Sequence, residues 1–282
     1  MRAGLGYDDV RAIRGDIVYV HCTGFGSDGP YAGRPAYDDI IQALSGAASL
    51  LPLAQQTDTP RFLPSALADK VAGLHAVQAV LGALYHRERT GAGQAVEVPM
   101  FEVFTHFLMQ EHLHDRVFVP PTGPAGYPRQ LDPVRQPMRT SDGHIVVAPY
   151  TDERWLRFFD LIGRSDVYGV DALATPLLRL KNVALLQQAM AAVMPERTTD
   201  EWLELLGRHD IPAARVNSLD DLLDDPHLKA VGFFETLQHP TEGPLVGMQA
   251  PIRFGAGHPI ELRAAPMIGE HSEPIRRSLQ RG

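Results

Sequence analysis

The sequence has one cysteine, Cys22, in 282 residues, which excludes an intrachain disulfide framework and fits a reducing compartment. It also has no run of about 18 uninterrupted apolar residues, so we expect no transmembrane helix. Residues 1–6 lack the continuous apolar segment that a signal peptide requires. Together these absences predict a cytoplasmic protein.

Clustered basic residues and metal-binding motifs are missing as well. The net charge is -8, with Lys and Arg scattered, which argues against nucleic acids and anionic membranes as partners. The CxxC and HExxH motifs are absent, and His106, His112 and His114 are not spaced to share one helix face. The acidic run over 220–225 fits a solvated helix face better than a divalent-metal site. We therefore expect no metal.

Hydrophobic residues make up 44% of the chain and charged residues 21%, as in an ordinary globular protein. The first part alternates between helical and extended patterns, so it predicts an α/β fold with a largely parallel sheet. The predicted elements are a helix over 7–13, a buried strand over 16–21, a Gly- and Pro-rich loop over 24–35, a helix over 38–47, a loop over 50–64, a helix over 68–87 and a strand over 94–98.

The helix over 68–87 has the clearest periodicity of the sequence. Its apolar positions are three and four residues apart, which predicts one continuous buried stripe. These positions are Val71, Leu74, Val77, Leu81 and Leu84.

The remaining sequence predicts a second, smaller domain. A long apolar helix over 101–114 is followed by a proline-rich segment, and strands and helices then alternate less regularly. We expect a small α+β domain inserted in the larger one. The predicted domain boundaries are 1–115 for the first part of the large domain, 116–138 for a linker, 139–215 for the small α+β domain and 216–282 for the return to the large domain.

Residues 24–29 match G-x-G-x-x-G and follow a predicted strand. Dinucleotide binding requires a helix that begins directly inside this motif, so that its first amides meet the pyrophosphate. Here Pro30, Gly33 and Pro35 postpone the helix. The pattern therefore favours a glycine-rich, ligand-facing loop at the carboxyl end of a strand, without NAD.

Asp69 lies at the start of the longest predicted helix. The partial positive charge of a helix N-terminus stabilises a carboxylate by about 0.3–1 kcal/mol, and an ionised carboxylate is the form that attacks an acyl group. The alternative is an ordinary first-turn aspartate, which the same charge favours. Position alone leaves both open.

Four segments carry a resemblance to a known family. Residues 23–38, TGFGSDGPYAGRPAYD, resemble the SGFGxxGPYAxRPxYD segment of the CaiB/BaiF family of class III CoA transferases. The Ala-Asp-Lys sequence at Asp69 and residues 86–94 look like that family's nucleophile helix and its HRExTGxGQ ending. Residues 211–228 and the Gly-Glu-His sequence over 269–271 are similar to its return to the large domain and its C-terminal motif.

The resemblance implies an open, Rossmann-like large domain with a smaller α+β domain inserted, although the chain lacks the family's first strand–helix units. It implies an enzyme of the EC 2.8.3 type that moves coenzyme A between an acyl-CoA and a carboxylic acid. Asp69 would form a mixed anhydride and then an aspartyl-CoA thioester. Coenzyme A would be a cosubstrate, with no permanently bound cofactor.

The resemblance also implies a substrate pocket that contains Tyr37, Asp38, Met100, Gly24 and Gly26. Racemases of the family have a histidine at the position of Tyr37. A phenol titrates near 10 and is a poor substitute for imidazole, so transfer is favoured over α-methylacyl-CoA racemisation.

Family members form interlocked dimers, so we expect a homodimer, or a heterodimer with a paralogue. The missing strand–helix units leave a second interpretation open, a non-catalytic or partner-dependent subunit of a CoA transferase. Their absence should expose apolar sheet surface that needs a cover.

Overall fold

The computed structural model describes residues 4–256 and 261–280. The chain divides into two compact units, which are described separately. The first contains Met1–Gln136 and Phe159–Val193, and the second contains Pro137–Phe158 and Met194–Gly282. The domain boundaries predicted from the sequence stay a prediction.

The first unit consists of two strands and several helices. The elements, in chain order, are α1 (Tyr7–Ile13), β1 (Val18–Thr23), α2 (Asp38–Leu44), α3 (Ala47–Gln55), α4 (Leu67–Thr90), β2 (Gln94–Pro99), α5 (Met100–His112), β3 (Met138–Arg139), β4 (His144–Val147), α6 (Asp152–Leu161), α7 (Pro176–Lys181) and α8 (Val183–Val193). Of these, β3 and β4 belong to the second unit, and α6 crosses the boundary between the two units. The second unit continues with α9 (Thr199–Arg208), β5 (Ala213–Arg215), α10 (Asp221–Asp224), α11 (Pro226–Ala230), β6 (Phe234–His239), β7 (Gly243–Met248) and α12 (Ser272–Leu279).

Strands β1 and β2 form a parallel pair in which Val18 lies opposite Gln94 and Thr23 lies opposite Pro99. Helix α4 is the last of the three helices between the two strands, and it packs against both strands and against α5. This arrangement confirms the predicted α/β class with a parallel sheet. By length and composition alone, α4 also meets the criteria for a helix that crosses a membrane. The core helices of soluble proteins can meet the same criteria.

Strand β1 begins two residues later than predicted and is less buried than predicted. The chain turns before the strand, where the Ile17 amide donates to the Arg14 carbonyl and the Arg14 guanidinium pairs with Asp16. The strand residues are half-buried or exposed, and Cys22 is exposed. The apolar run predicted a buried strand, but in the described part of the chain its sheet has one further strand only.

The predicted loop over 50–64 is wrong in its first part, because α3 extends to Gln55 and contains Pro52. Gly46, with φ of +86°, separates α2 from α3. Proline cannot donate the helical hydrogen bond to the carbonyl four residues earlier, which belongs to Ala48. The Arg61 amide donates to that carbonyl instead, at 2.9 Å. A contact distant in sequence thus satisfies the group that proline leaves without a donor.

The predicted buried stripe of α4 is also wrong. Val71 is buried, whereas Leu74, Val77 and Leu81 are 57–66% exposed and Leu84 is 36% exposed. The face of α4 that the fold covers is a different one, and it carries small side chains, among them Ala68, Ala72, Ala79 and Ala83. The periodicity of the large apolar residues therefore predicted the wrong face of the helix. We name the four exposed side chains the α4 stripe.

The core of the first unit lies beneath the start of α4. One buried cluster joins the loop after β1, the helices α2 to α5 and their connections. It consists of Phe25, Ile41, Ala47, Ala68, Val71 and Phe104. Because Ala68 precedes Asp69, this cluster fixes the turn on which Asp69 lies.

The loop after β1 approaches the start of α2 closely at Gly24. A Cβ atom on Gly24 would lie 2.3 Å from the Cβ of Ala36, which is impossible without a shift of backbone. The Phe25 ring next to it contacts the rings of Tyr31 and Phe101 at centroid distances of 5.4 and 5.7 Å. The loop is therefore packed tightly onto the segment that precedes α2.

In the second unit, β3, β4 and β5 form an antiparallel sheet and β6 and β7 form a hairpin. Asp142, in the turn between β3 and β4, accepts hydrogen bonds from the Thr199 amide at 2.8 Å and from the Thr140 and Thr199 hydroxyls. These bonds, the Thr199 amide first, lower the pKa of Asp142 below its usual value. The carboxylate thus ties the turn to the start of α9.

We predict that Gly24→Ala destabilises the protein by about 1–3 kcal/mol, because the added methyl group overlaps Ala36. Gly29→Ala is the matched control in the same loop, since its Cβ would have its nearest neighbour at 3.8 Å. Urea unfolding followed by circular dichroism measures both. Equal stability of the two variants would contradict the close approach.

We predict that Asp142→Asn destabilises the second unit at neutral pH and that this difference disappears under acid conditions. A pKa lowered by folding gives stability that is present above the unfolded value, near 3.8, and is lost as the pH falls through the folded value. Tryptophan fluorescence during urea unfolding follows this unit, because both Trp155 and Trp202 belong to it. A difference between wild type and variant that stays constant from pH 7 to pH 3 contradicts this assignment.

Candidate active site

Asp69 is the third residue of α4 and its side chain is exposed. The residues on either side of it in the turn, Ala68 and Val71, are buried in the cluster described above. A solvent-accessible carboxylate thus lies on a first turn that is packed onto the buried cluster. Such a carboxylate can act as a nucleophile toward an acyl group.

The start of α4 has no local cap, because its N-cap residue is Ala66. Asp38, the first residue of α2, supplies a cap from another part of the chain. One oxygen of its carboxylate, Oδ1, accepts hydrogen bonds from the amides of Ala68 at 2.8 Å and Asp69 at 3.2 Å. Asp38 therefore determines where Asp69 lies, a role that the sequence does not suggest.

Gln42 holds the other oxygen of Asp38 and was not recognised from the sequence. It is 1% exposed, and its Nε2 lies 2.6 Å from Oδ2 of Asp38. Its spacing of four residues from Asp38, next to the buried Ile41, is the signal that could have identified it.

Tyr37 precedes Asp38 and occupies the N-cap position of α2. Its carbonyl accepts the Ile41 amide at 3.1 Å, while its side chain is 75% exposed. The phenol is thus directed to solvent from a backbone position that is fixed by the helix.

The glycine-rich loop is held by two carboxylates that the sequence analysis did not single out. The Gly26 amide donates to Glu102 at 2.9 Å, and the Ser27 amide and hydroxyl donate to Glu97 at 3.3 and 3.0 Å. A pyrophosphate would need these amides and would be repelled by the carboxylates. Residues 24–37 contain no helix, since α2 begins at Asp38. Both observations argue against dinucleotide binding.

Met100 begins α5 and packs, partly buried, against the same cluster that lies beneath Asp69. The next residue, Phe101, donates its amide to the Gly24 carbonyl at 3.0 Å. The fold therefore brings Gly24, Gly26 and Met100 to the cluster that also positions Asp38 and Asp69. The tertiary structure collects five predicted site residues from four separate segments.

The side chains considered as metal ligands have other roles in the structure. His112 is buried and accepts the Tyr127 amide at its Nδ1, 3.2 Å away. Within the acidic run, Asp225 accepts the first amides of α11 and Asp224 pairs with Lys229. Among the described residues, no three His, Cys, Asp or Glu side chains are grouped as metal ligands.

Known proteins share this fold. The crystal structure of Rv3272 from Mycobacterium tuberculosis superposes with a TM-score of 0.79 at 26% identity, covering 96% of this chain and 72% of that chain. The crystal structure of a CaiB/BaiF family protein from Brucella suis gives a TM-score of 0.77 at 28% identity, covering 99% and 72%. The α/β fold is therefore that of CaiB/BaiF proteins.

Two curated relatives are similar in sequence over nearly the whole chain. A probable fatty acyl-CoA transferase, Rv3272 of Mycobacterium tuberculosis, is 28% identical and covers 96% of this chain and 71% of its own length. A formyl-CoA:oxalate CoA-transferase of Streptomyces coelicolor is 29% identical, covering 97% and 70%. The model of CoA-transferase family III matches residues 1–272, and the chain therefore belongs to this family of enzymes.

Proposed function

We propose that this protein transfers coenzyme A from an acyl-CoA to a carboxylic acid through covalent intermediates on Asp69. The observation that carries the proposal is the exposed carboxylate of Asp69 at the start of α4, between the buried Ala68 and Val71. Membership of CoA-transferase family III supports the reaction class.

In the proposed reaction, an oxygen of Asp69 attacks the thioester carbonyl of the donor. The carbon–sulfur bond breaks, CoA leaves as a thiolate, and a mixed anhydride forms. The thiolate then attacks the Asp69 carbonyl carbon, which releases the donor acid and leaves an aspartyl-CoA thioester. Each step exchanges one activated acyl group for another, so the protein supplies orientation and stabilisation of charge.

The acceptor carboxylate completes the cycle by the same chemistry. It attacks the aspartyl thioester, so that the thiolate leaves again and a second anhydride forms. Attack of the thiolate on the acceptor's acyl carbon gives the new acyl-CoA and restores the Asp69 carboxylate. Water must be excluded during these steps, because it would hydrolyse either anhydride.

The proposal assigns the remaining site residues to the substrate pocket. Tyr37 presents an exposed phenol next to Asp38, and Met100 lies near the loop that contains Gly24 and Gly26. A phenol in place of imidazole supports transfer over proton exchange at the α-carbon. The donor and acceptor belong to the acyl-CoA and carboxylate classes, and we place the protein in the cytoplasm without a bound metal or permanent cofactor.

The exposed α4 stripe supports a further part of the proposal, namely that this chain works as a dimer. Large exposed apolar patches mark interaction surfaces, and this stripe extends over three turns of a helix in the first unit. A second copy is the proposed cover. The same observation also favours the second candidate function, a subunit that depends on a paralogous chain for activity.

We predict that incubation with formyl-CoA, succinyl-CoA and palmitoyl-CoA, each in a separate reaction, gives a covalent adduct on Asp69 with at least one donor. Quenching with hydroxylamine and peptide mass spectrometry locate the adduct. Asp69→Asn should abolish it, because the amide is not nucleophilic, while Asp8→Asn in the first turn of α1 should retain it. An adduct that persists in Asp69→Asn contradicts the assignment of the nucleophile.

We predict that sedimentation velocity shows a dimer and that Leu81→Glu shifts it toward monomer by at least tenfold in dissociation constant. The charged side chain would have to be buried in the α4 stripe. Glu88→Gln at the exposed end of α4 is the control. A wild-type monomer at micromolar concentration that is active alone refutes the dimer. A monomer that becomes active only when it is mixed with a paralogue supports the second candidate. That support holds if the mixture stays active when this chain carries Asp69→Asn.

A further inference from the structure

Gln42 is a buried polar residue that the proposed reaction does not use. Its side chain is 1% exposed, on the face of α2 that carries the buried Ile41. Burying a carboxamide is costly unless its donors and acceptor are satisfied. The partners of this group therefore show what its burial achieves.

The carboxamide of Gln42 binds two segments at once. Its Oε1 accepts the Leu63 amide at 2.8 Å, and its Nε2 lies 2.6 Å from Asp38 Oδ2, 3.2 Å from the Ser65 carbonyl and 3.3 Å from the Leu63 carbonyl. The Leu63 amide can only donate, so it fixes the orientation of the carboxamide, with oxygen toward Leu63 and nitrogen toward Asp38. Gln42 thus joins α2 to the segment directly before α4.

Asp38 depends on this contact for its orientation. The terminal torsion of an aspartate side chain is broad. The amides of Ala68 and Asp69 both contact Oδ1, so the carboxylate plane can still turn about that oxygen unless Oδ2 also has a partner. Gln42 holds Oδ2, and Oδ1 is thereby directed at the amides of Ala68 and Asp69. The path from Gln42 to the backbone of Asp69 consists of two hydrogen-bonded steps.

We infer that Gln42 is a positioning residue for Asp69, acting through the carboxylate of Asp38. This inference rests on the proposed function, because it assigns Gln42 to the placement of the nucleophile. Gln42 does not touch the substrate, since it is buried. Its loss should slow the attack of Asp69 and leave the binding of acyl-CoA nearly unchanged.

Gln42→Glu gives the sharpest test, because it keeps the shape and changes one donor into an acceptor. The introduced carboxyl group faces three acceptors, which are Asp38 Oδ2 and the carbonyls of Leu63 and Ser65. The contact to Asp38 is then satisfied only while the two carboxyl groups share a proton, a state that burial next to a second carboxylate favours up to a higher pH. The charged groups around it are Asp38 on α2 and, at the start of α4, Asp69 and Lys70, whose Nζ donates to the Ser65 hydroxyl at 2.8 Å.

The measurement is the rate of adduct formation on Asp69 in a single turnover at saturating acyl-CoA, compared as a ratio of Q42E to wild type from pH 5.5 to pH 8. We expect a ratio near one at pH 5.5 and a loss of about tenfold or more at pH 8, where the introduced group is ionised. KM should change less than twofold. Gln55→Glu, at the exposed end of α3, should give a ratio near one throughout.

A second variant keeps the test decisive if Q42E does not fold at pH 8. In Q42E combined with Asp38→Asn, the asparagine nitrogen can donate to the introduced carboxylate while its oxygen still faces the α4 amides. We expect this pair to fold at pH 8 and to recover the rate relative to Asp38→Asn alone. Amide hydrogen exchange at Ala68 and Asp69 should show restored protection in parallel.

The outcomes are distinguishable. Two results overturn the positioning role alone, provided that the wild type forms the adduct. One is a Q42E ratio of one at every pH, and the other is the same loss of rate at every pH with no recovery in the double variant. Absence of an adduct in folded wild type with every donor overturns the proposed function, and this inference falls with it. A loss that grows with pH and is reversed by Asp38→Asn supports the inference.

Discussion

The hydrogen bonds from the start of α4 to the Asp38 carboxylate are the contact on which the arrangement of the site depends. A helix of 24 residues with alanine at its N-cap would have unsatisfied first amides. Asp38 satisfies those of Ala68 and Asp69 from α2. The position of the proposed nucleophile is therefore determined by the packing of α2 on α4 and cannot be changed independently of it.

The loop after β1 illustrates how the same motif can serve different chemistry. Its glycines allow a close approach at Ala36, and its amides are taken by Glu97 and Glu102 on the neighbouring segment. The amides of Gly26 and Ser27 are thus satisfied within the protein. A phosphate-binding loop would instead leave its amides for the ligand. The difference lies in which groups surround the loop.

The long helix α4 has two functions in this fold. Its first turn, with Ala68 and Val71 buried, anchors the site, while the α4 stripe further along remains exposed. The cost of exposing such a surface to water gives a physical reason for association with another chain. In the proposed dimer, assembly and the position of Asp69 would be connected through one helix.

The α/β class, the parallel pairing of β1 and β2 and the candidate Asp69 could be predicted from the residues alone, because periodicity and helix-start signals are local. The resemblance of residues 23–38 added the family, which residue types alone could not supply. Burial was predicted poorly wherever it depends on another element, as for the α4 stripe and strand β1. The helical Pro52 was missed because the Arg61 amide that compensates for it is distant in sequence. Only the tertiary structure showed that Gln42 and Asp38 hold the start of α4, because a hydrogen bond between residues 30 positions apart leaves no pattern in the sequence.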